Sequence, residues 1–281
     1  MPQIIHNDNF VKSDVTVVCT SNDKYIPPLL AFLNSIQANS PGINIMIRLV
    51  NVTEQHVDKV LSYNLRKQVI IDNVELSSKR TMQPNGLAGR NWKQLLTNVK
   101  PRPGGFRGEH QFQSDEACYC SNIKFNTANM ALDDDNECVV YLDVDTIVRK
   151  DISSIKTVTQ DHDMGMFVCA EELDKYETYL GQQYSGWHAG LMVVRNTHVA
   201  KQFYKELEQR VSENMFDIEA DEDEFEYLVG VYKDDVSIKS LDLTYKDCGP
   251  TFNDDSVMWS GQAGIKATND QYIKEFNKYV C

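Results

Sequence analysis

The sequence predicts an α/β protein built around a parallel sheet, and three observations carry that expectation. Residues 14–74 alternate strand-like and helix-like patterns in a β-α-β-α-β rhythm, which requires parallel strands joined by right-handed crossovers. Residues 138–142, Cys-Val-Val-Tyr-Leu, form an apolar run rich in β-branched and aromatic side chains, as a strand buried on both faces does. Strand and helix patterns then alternate again from residue 164 to residue 241. A half of the βαβαβ kind offers a nucleotide site at the carboxyl ends of its strands.

Asp14 to Thr20 reads as the first strand, with Val15, Val17, Val18 and Cys19 apolar. Ser21-Asn22-Asp23 has turn and N-cap chemistry. Pro27 and Pro28 suit a first helical turn, and Leu29, Leu30, Phe32, Leu33 and Ile36 lay an apolar face at helical spacing. Asn39-Ser40-Pro41-Gly42 stops that helix. Ile43 to Val50 is a second strand, Thr53 to Leu65 a helix and Gln68 to Val74 a third strand. Residues 77–113 are irregular, and Lys100 to Gly108 is a basic Pro- and Gly-rich loop. It reads as a solvated surface or as a lid whose cations meet an anionic substrate. Ser114-Asp115 caps a helix running to about Leu132, which carries Lys124 toward the central strand.

Beyond that strand, Met164 to Ala170 and Leu191 to Arg195 read as strands, with a polar-aromatic turn from Tyr184 to Gly190 feeding the second. Thr197 caps a helix that shows Val199, Phe203, Leu207 and Val211 on one face. Glu219 to Glu226 is an acidic run opening a further helix, where acids also suit the macrodipole. Val236 to Leu241 is a strand, and the tail from Cys248 is loop-like up to a short helix near Gln271 to Tyr279.

Composition narrows the function classes. The 281 residues, 42% hydrophobic, support a sizeable core in one domain over residues 1–281. A net charge of −13 opposes nucleic acid as the main partner. No apolar run approaches the roughly 18 residues of a membrane span, and Met1 to Val11 is too polar for a signal peptide. Seven cysteines at irregular spacing suit reduced thiols, so a cytoplasmic location is expected. Cys118 and Cys120 have no second pair at zinc-finger spacing. Neither a Gly-x-Gly-x-x-Gly nor a Walker sequence is present, so dinucleotide and P-loop readings lack their defining loop.

The chemistry concentrates where the run 138–142 ends. Asp143 and Asp145 arrive there, separated by Val144. Buried carboxylates cost several kcal/mol unless something positive compensates them. A pair on one side of an extended segment converges on a hard divalent cation, Mn²⁺ first and Mg²⁺ second.

In their joint order these residues resemble the GT-A glycosyltransferases, nearest to the family 8 type that includes glycogenin and bacterial lipopolysaccharide galactosyltransferases. Thr20-Ser21-Asn22-Asp23-Lys24-Tyr25 resembles the family's first loop, in which Thr and Asn positions contact the nucleotide and the Tyr stacks on its base. Lys124 falls near a basic residue that touches the donor, and Tyr141 to Thr146 resembles the metal motif. His188-Ala189-Gly190 resembles an Asn-Ser/Ala-Gly strand start, with His188 replacing Asn. Asp221-Glu222-Asp223 resembles Asp-Gln-Asp, with Glu222 replacing Gln. The family's late His-Phe-x-Gly-x-x-Lys segment has only Met258-Trp259-Ser260-Gly261 as counterpart, and Lys266 stands in for its Lys two residues late. No His follows His198, which leaves the third metal ligand to Asp254, Asp255 or the diphosphate itself.

The resemblance implies a GT-A fold: a Rossmann-like nucleotide-binding half over about 14–150, with a mixed central sheet, and an abutting acceptor half over about 151–281. It implies transfer of a hexose from a nucleoside-diphosphate sugar, UDP first and GDP second, to a hydroxyl of a glycan acceptor. Anomeric configuration would be retained, with Glu222 for Gln keeping inversion open. Asp143 and Asp145 would hold Mn²⁺ or Mg²⁺. Thr20, Ser21, Asn22, Tyr25, Lys124, Val144, His188 and Lys266 would bind the donor, and Asp221, Glu222 and Asp223 would serve catalysis. Two alternatives stand beside this. Asp-x-Asp-Thr after an apolar strand is also similar to the haloacid-dehalogenase phosphatases, but Thr146 follows Asp143 by three positions where they use four. A non-catalytic sugar-nucleotide-binding protein is the other, supported by the missing late His.

Overall fold

The computed structural model of the chain describes residues 2–6, 10, 12–76, 81–83, 111–168, 187–217, 220–249, 252–261 and 265–280. The basic loop 100–108 and the turn 184–186 lie outside the described residues. The N-terminal part runs β1 (Gln3–His6), β2 (Thr16–Asn22), α1 (Ile26–Asn39), β3 (Asn44–Val50), α2 (Glu54–Leu61) and β4 (Arg66–Asp72). Strands β2 and β3 are buried at all seven positions each, as expected of a parallel sheet covered on both faces. Proline in the first turn opens α1, where its missing N–H costs nothing. Asn22 caps the single 3₁₀ turn before it, its Oδ1 accepting from Tyr25 N at 3.2 Å.

The middle of the chain holds β5 (Thr81–Gln83), β6 (Gln111–Gln113), α3 (Asp115–Asn122), α4 (Lys124–Asp133), β7 (Cys138–Leu142), β8 (Thr146–Val148), α5 (Ser154–Val158) and β9 (Met164–Val168). The expected single helix from Ser114 is two, divided at Ile123. Ser114 does cap the first, accepting from Ala117 N at 3.2 Å. The C-terminal part comprises β10 (Trp187–Arg195), α6 (His198–Glu213), α7 (Ala220–Val231), β11 (Ile238–Leu241), β12 (Lys246–Asp247), β13 (Met258–Ser260), α8 (Ile265–Thr268) and α9 (Asp270–Phe276).

Eight strands form one mixed sheet in the order β1-β4-β3-β2-β7-β10-β9-β11. Strands β4, β3, β2 and β7 are parallel, and β10 runs antiparallel to β7 with Leu191 opposite Leu142. On one face, α1 buries Leu29, Phe32, Leu33 and Ile36 against Val17, Ile45 and Val140. On the other, Phe125 and Leu132 of α4 join Phe203 and Leu207 of α6 and Phe225 of α7 against Val18, Tyr141 and Met192. Each such side chain contributes about 1.5–3 kcal/mol of transfer free energy, which is why β7 is held rigidly in the middle. A second, three-stranded sheet, β12-β13-β8, begins directly after Asp145 and pairs Ser260 with Thr146.

Candidate active site

Residues 143–145 carry the chain from β7 into β8 at the carboxyl end of the central strand. The turn is closed by backbone bonds: Asp143 N donates to Gly190 O at 3.3 Å, and Thr146 N to Asp143 O at 3.1 Å. Tyr141 O–H donates to Asp143 Oδ1 at 3.0 Å. The Asp145 carbonyl accepts from Gly261 N at 2.8 Å and from Tyr272 O–H at 2.6 Å, so β13 and α9 fix its backbone. Its Oδ2 accepts from Lys266 Nζ at 2.9 Å, whereas the buried Oδ1 has no hydrogen-bond partner among the described residues. Burial, and then the neighbouring Asp143 charge, raise the Asp145 carboxyl above the usual aspartate range.

This donor set fits a hard divalent cation. An orphaned buried carboxylate oxygen beside a second carboxylate is costly by itself, and a cation relieves both the desolvation and the repulsion. Among the described residues, no cluster of three or more His, Cys, Asp or Glu side chains forms a complete cage. Two carboxylates with open positions left for phosphate oxygens and water are the usual arrangement for such an ion bound together with its ligand. Asp254 and Asp255, candidates for a third ligand, lie elsewhere. They pair with Arg149 and Lys150 beyond the far end of β8, with side chains 90% and 92% exposed. The antiparallel register of β13 on β8 puts residue 258 opposite residue 148, so these acids emerge away from Asp145.

The first loop reaches the pair through Lys266. Its Nζ stands 4.8 Å from the Tyr25 ring centroid while bonded to Asp145. Burial works to lower the Lys266 ammonium, but Asp145 and Tyr25 outweigh it and hold it above the ordinary lysine value. Thr20 is buried and its hydroxyl has no hydrogen-bond partner among the described residues. Ser21 O–H donates to Asn22 O at 3.3 Å, and Asn22 is occupied with its cap. Val144 is 6% exposed and packs into the core beneath the turn, so its side chain does not face the aspartates' open side.

The acidic helix α7 joins the pair through a relay. Lys124 makes a buried ion pair with Asp221, and Ser121 O–H donates to the same Oδ2 at 3.3 Å. Lys124 Nζ also lies 5.3 Å from the centroid of Tyr141, whose hydroxyl holds Asp143. Burial, followed by the Asp143 charge, pushes the Tyr141 phenol well up, so it stays a donor. Asp223 is buried, while Glu222 is half-buried and its N–H donates to Asp221 Oδ1 at 2.8 Å. His188 sits in β10 opposite Phe167, at the start of a bulge that ends at Met192; its side chain lies outside the described residues. Bulges re-aim backbone beside functional sites, and this one presents Gly190 to Asp143.

Sequence reasoning missed Lys246. It is fully buried on β12, and a Cβ on Gly190 would clash with both its Nζ and Asp143 Oδ2. The ammonium and the carboxylate therefore share the space that glycine leaves open. Burial lowers the Lys246 ammonium, opposed by the charges of Asp143 and Asp145. No signal in the sequence marked it: β12 is two residues long, too short for periodicity.

The fold is that of the GT-A glycosyltransferases. The chain belongs to glycosyl transferase family 8, which matches residues 16–221. Among solved structures it is similar to the galactosyltransferase LgtC in complex with donor and acceptor sugar analogues, at 11% identity and TM-score 0.52, over 94% of this chain and 95% of that one. It is also similar to the glycosyltransferase GlyE of Streptococcus pneumoniae TIGR4, at 10% identity and TM-score 0.54, over 96% of this chain and 62% of that one. The apo bifunctional glycosyltransferase WbbM aligns at 13% identity and TM-score 0.56, over 98% of this chain and 50% of that one. Comparison with curated protein sequences returns no match. No helix among the described residues is long and apolar enough to cross a membrane.

Proposed function

We propose that this glycosyltransferase moves a hexose from a nucleoside-diphosphate sugar, a UDP-sugar before a GDP-sugar, to a hydroxyl of a glycan acceptor with retention of configuration. The observation that carries this reading is the orphaned Asp145 Oδ1 beside Asp143, with Lys124, Lys246 and Lys266 around the pair. A sugar nucleotide leaves as a diphosphate, so its enzyme must neutralise charge building on phosphate oxygens. Asp143 and Asp145 would hold Mn²⁺ or Mg²⁺, which supplies that neutralisation when bound. Lys266, bonded here to Asp145, would turn to the diphosphate when the donor binds. Tyr25, whose ring lies against Lys266 Nζ, would stack on the base. Asp221, Glu222 and Asp223 would hydrogen-bond the sugar or the incoming hydroxyl on the acceptor side, while in a retaining transfer that hydroxyl's proton passes to the departing diphosphate as its bond to the anomeric carbon breaks.

The test is hydrolysis and transfer measured over a panel of UDP- and GDP-sugars with Mn²⁺, with Mg²⁺ and with a chelator. Turnover of one donor in the presence of metal is expected, and NMR of the product anomer reads retention directly. A donor that binds without turnover under every condition would make the protein a sugar-nucleotide-binding module instead.

Tyr25 yields a separate expectation. Base stacking on an aromatic contributes about 1–3 kcal/mol, so Tyr25→Ala should weaken nucleotide binding by about 10- to 100-fold. Calorimetry with the nucleoside diphosphate measures it. Tyr25 also packs against the core; a mutant that melts earlier yet keeps its nucleotide affinity would assign the ring to that core alone.

A further inference from the structure

The Lys246 Nζ has no hydrogen-bond partner among the described residues and is fully buried beside Asp143. The Phe167 ring, its centroid 5.4 Å away, offsets part of the burial cost, but cation–π contacts do not replace the hydrogen bonds an ammonium has lost. The small sheet explains how it comes to be there. Lys246 pairs in register with Met258, and β13 pairs in turn with β8, which starts at the residue after Asp145. One three-stranded unit thus delivers both Lys246 and Asp145 to the same place. If Lys246 served only to neutralise Asp143 it would bond to that carboxylate, yet both groups border the Gly190 gap and no bond joins them. An ammonium held this way is arranged for an anionic oxygen that is not part of the protein.

We propose that Lys246 is a diphosphate-binding residue, contacting the donor's phosphate oxygens beside Gly190 with a positive charge separate from any metal held by Asp143 and Asp145. This rests on the nucleoside-diphosphate donor reading above. With Lys266 beside Asp145 and Lys246 beside Asp143, the diphosphate is met by one lysine at each aspartate. Part of its binding then needs no metal.

The experiment is calorimetry of UDP and GDP binding to wild type and Lys246→Met, each with Mn²⁺ and with a chelator, alongside NMR titration with the matching nucleoside. Losing a charge-assisted contact should weaken the preferred nucleoside diphosphate by about 10- to 100-fold, with metal and without it, and leave the nucleoside unchanged. Thermal melting checks folding; if Lys246→Met does not fold, Lys246→Gln carries the same measurement. Unchanged diphosphate affinity overturns the proposal. A loss confined to the Mn²⁺ condition also overturns it, because Lys246 would then act only through Asp143. An equal loss for the nucleoside assigns the effect to the fold and overturns it as well. Failure of the wild type to bind either nucleoside diphosphate under any condition overturns the donor reading itself, and this inference with it.

Discussion

Asp145→Asn is expected to remove the metal dependence of nucleoside-diphosphate binding while the protein stays folded. Asparagine has the shape of aspartate, and the bonds that fix this residue come from its backbone, through Gly261 N and Tyr272 O–H. Neutralising the side chain also removes its repulsion with Asp143, the second cause of its raised carboxyl. Lys266 loses an ion-pair partner, but its side chain is 33% exposed and can turn to water. Stability should therefore change by no more than about 1 kcal/mol. Metal binding has no such tolerance. Even partners outside a metal's own ligands are worth roughly 10- to 100-fold in affinity, so losing one of two carboxylate ligands should cost at least that much. Calorimetry of UDP with Mn²⁺ and with a chelator reads the effect. The wild type should bind more tightly with metal, and the mutant should bind alike in both conditions. Asp143→Asn should follow the same course, since Tyr141 O–H still finds an amide oxygen. Equal wild-type affinity in the two conditions would end the metal assignment.

The strength of that expectation follows from how local the signal was. Strand β7 spans Cys138–Leu142, the limits read from the sequence, because a five-residue apolar run is too short for a helix and its Val and Tyr favour a buried strand. The βαβαβ part was equally readable, as α1 and β2 to β4 are long and strongly patterned. Strand β1 was not expected: Gln3–His6 is an antiparallel edge strand against β4 with Gln3 and Ile4 exposed, so it shows no buried alternation. Strand β10 begins at Trp187 rather than Leu191 because the bulge between His188 and Met192 interrupts its period. The same limit applies at the site. Asp143, Asp145 and the α7 acids are visible as clusters in the chain. Lys246 comes beside Asp143 from 103 residues away through a sheet whose strands are two or three residues long, and Tyr272 reaches the Asp145 carbonyl from α9, 127 residues away. Only tertiary structure brings them in.

Asp221→Asn is expected to lower kcat by about 100-fold or more, as loss of a general base or transition-state contact does, while donor affinity changes little. The choice of asparagine matters. Asp221 is the buried partner of Lys124 and accepts from Ser121, and stripping a buried ion pair to alanine costs about 3–5 kcal/mol by itself. Asparagine keeps an acceptor for both groups but not the charge that Lys124 pairs with, so thermal melting alongside kcat is what separates chemistry from folding. Glu222 is only half-buried, and Glu222→Ala should fold normally and lose kcat to a similar degree; His188→Ala should behave alike but more mildly. Glu222→Gln separates the two stereochemical courses. In a retaining enzyme residue 222 contacts the sugar or acceptor by hydrogen bonding, and an amide serves nearly as well as a carboxylate. In an inverting enzyme it must take the acceptor's proton, and the amide has no base to offer. Near wild-type turnover by Glu222→Gln is therefore the expected result, with loss of about 100-fold or more marking inversion. If Asp221→Asn and Glu222→Ala both keep wild-type kcat, the Lys124–Asp221 pair is a structural brace between α4 and α7, and the acceptor side of the site lies elsewhere.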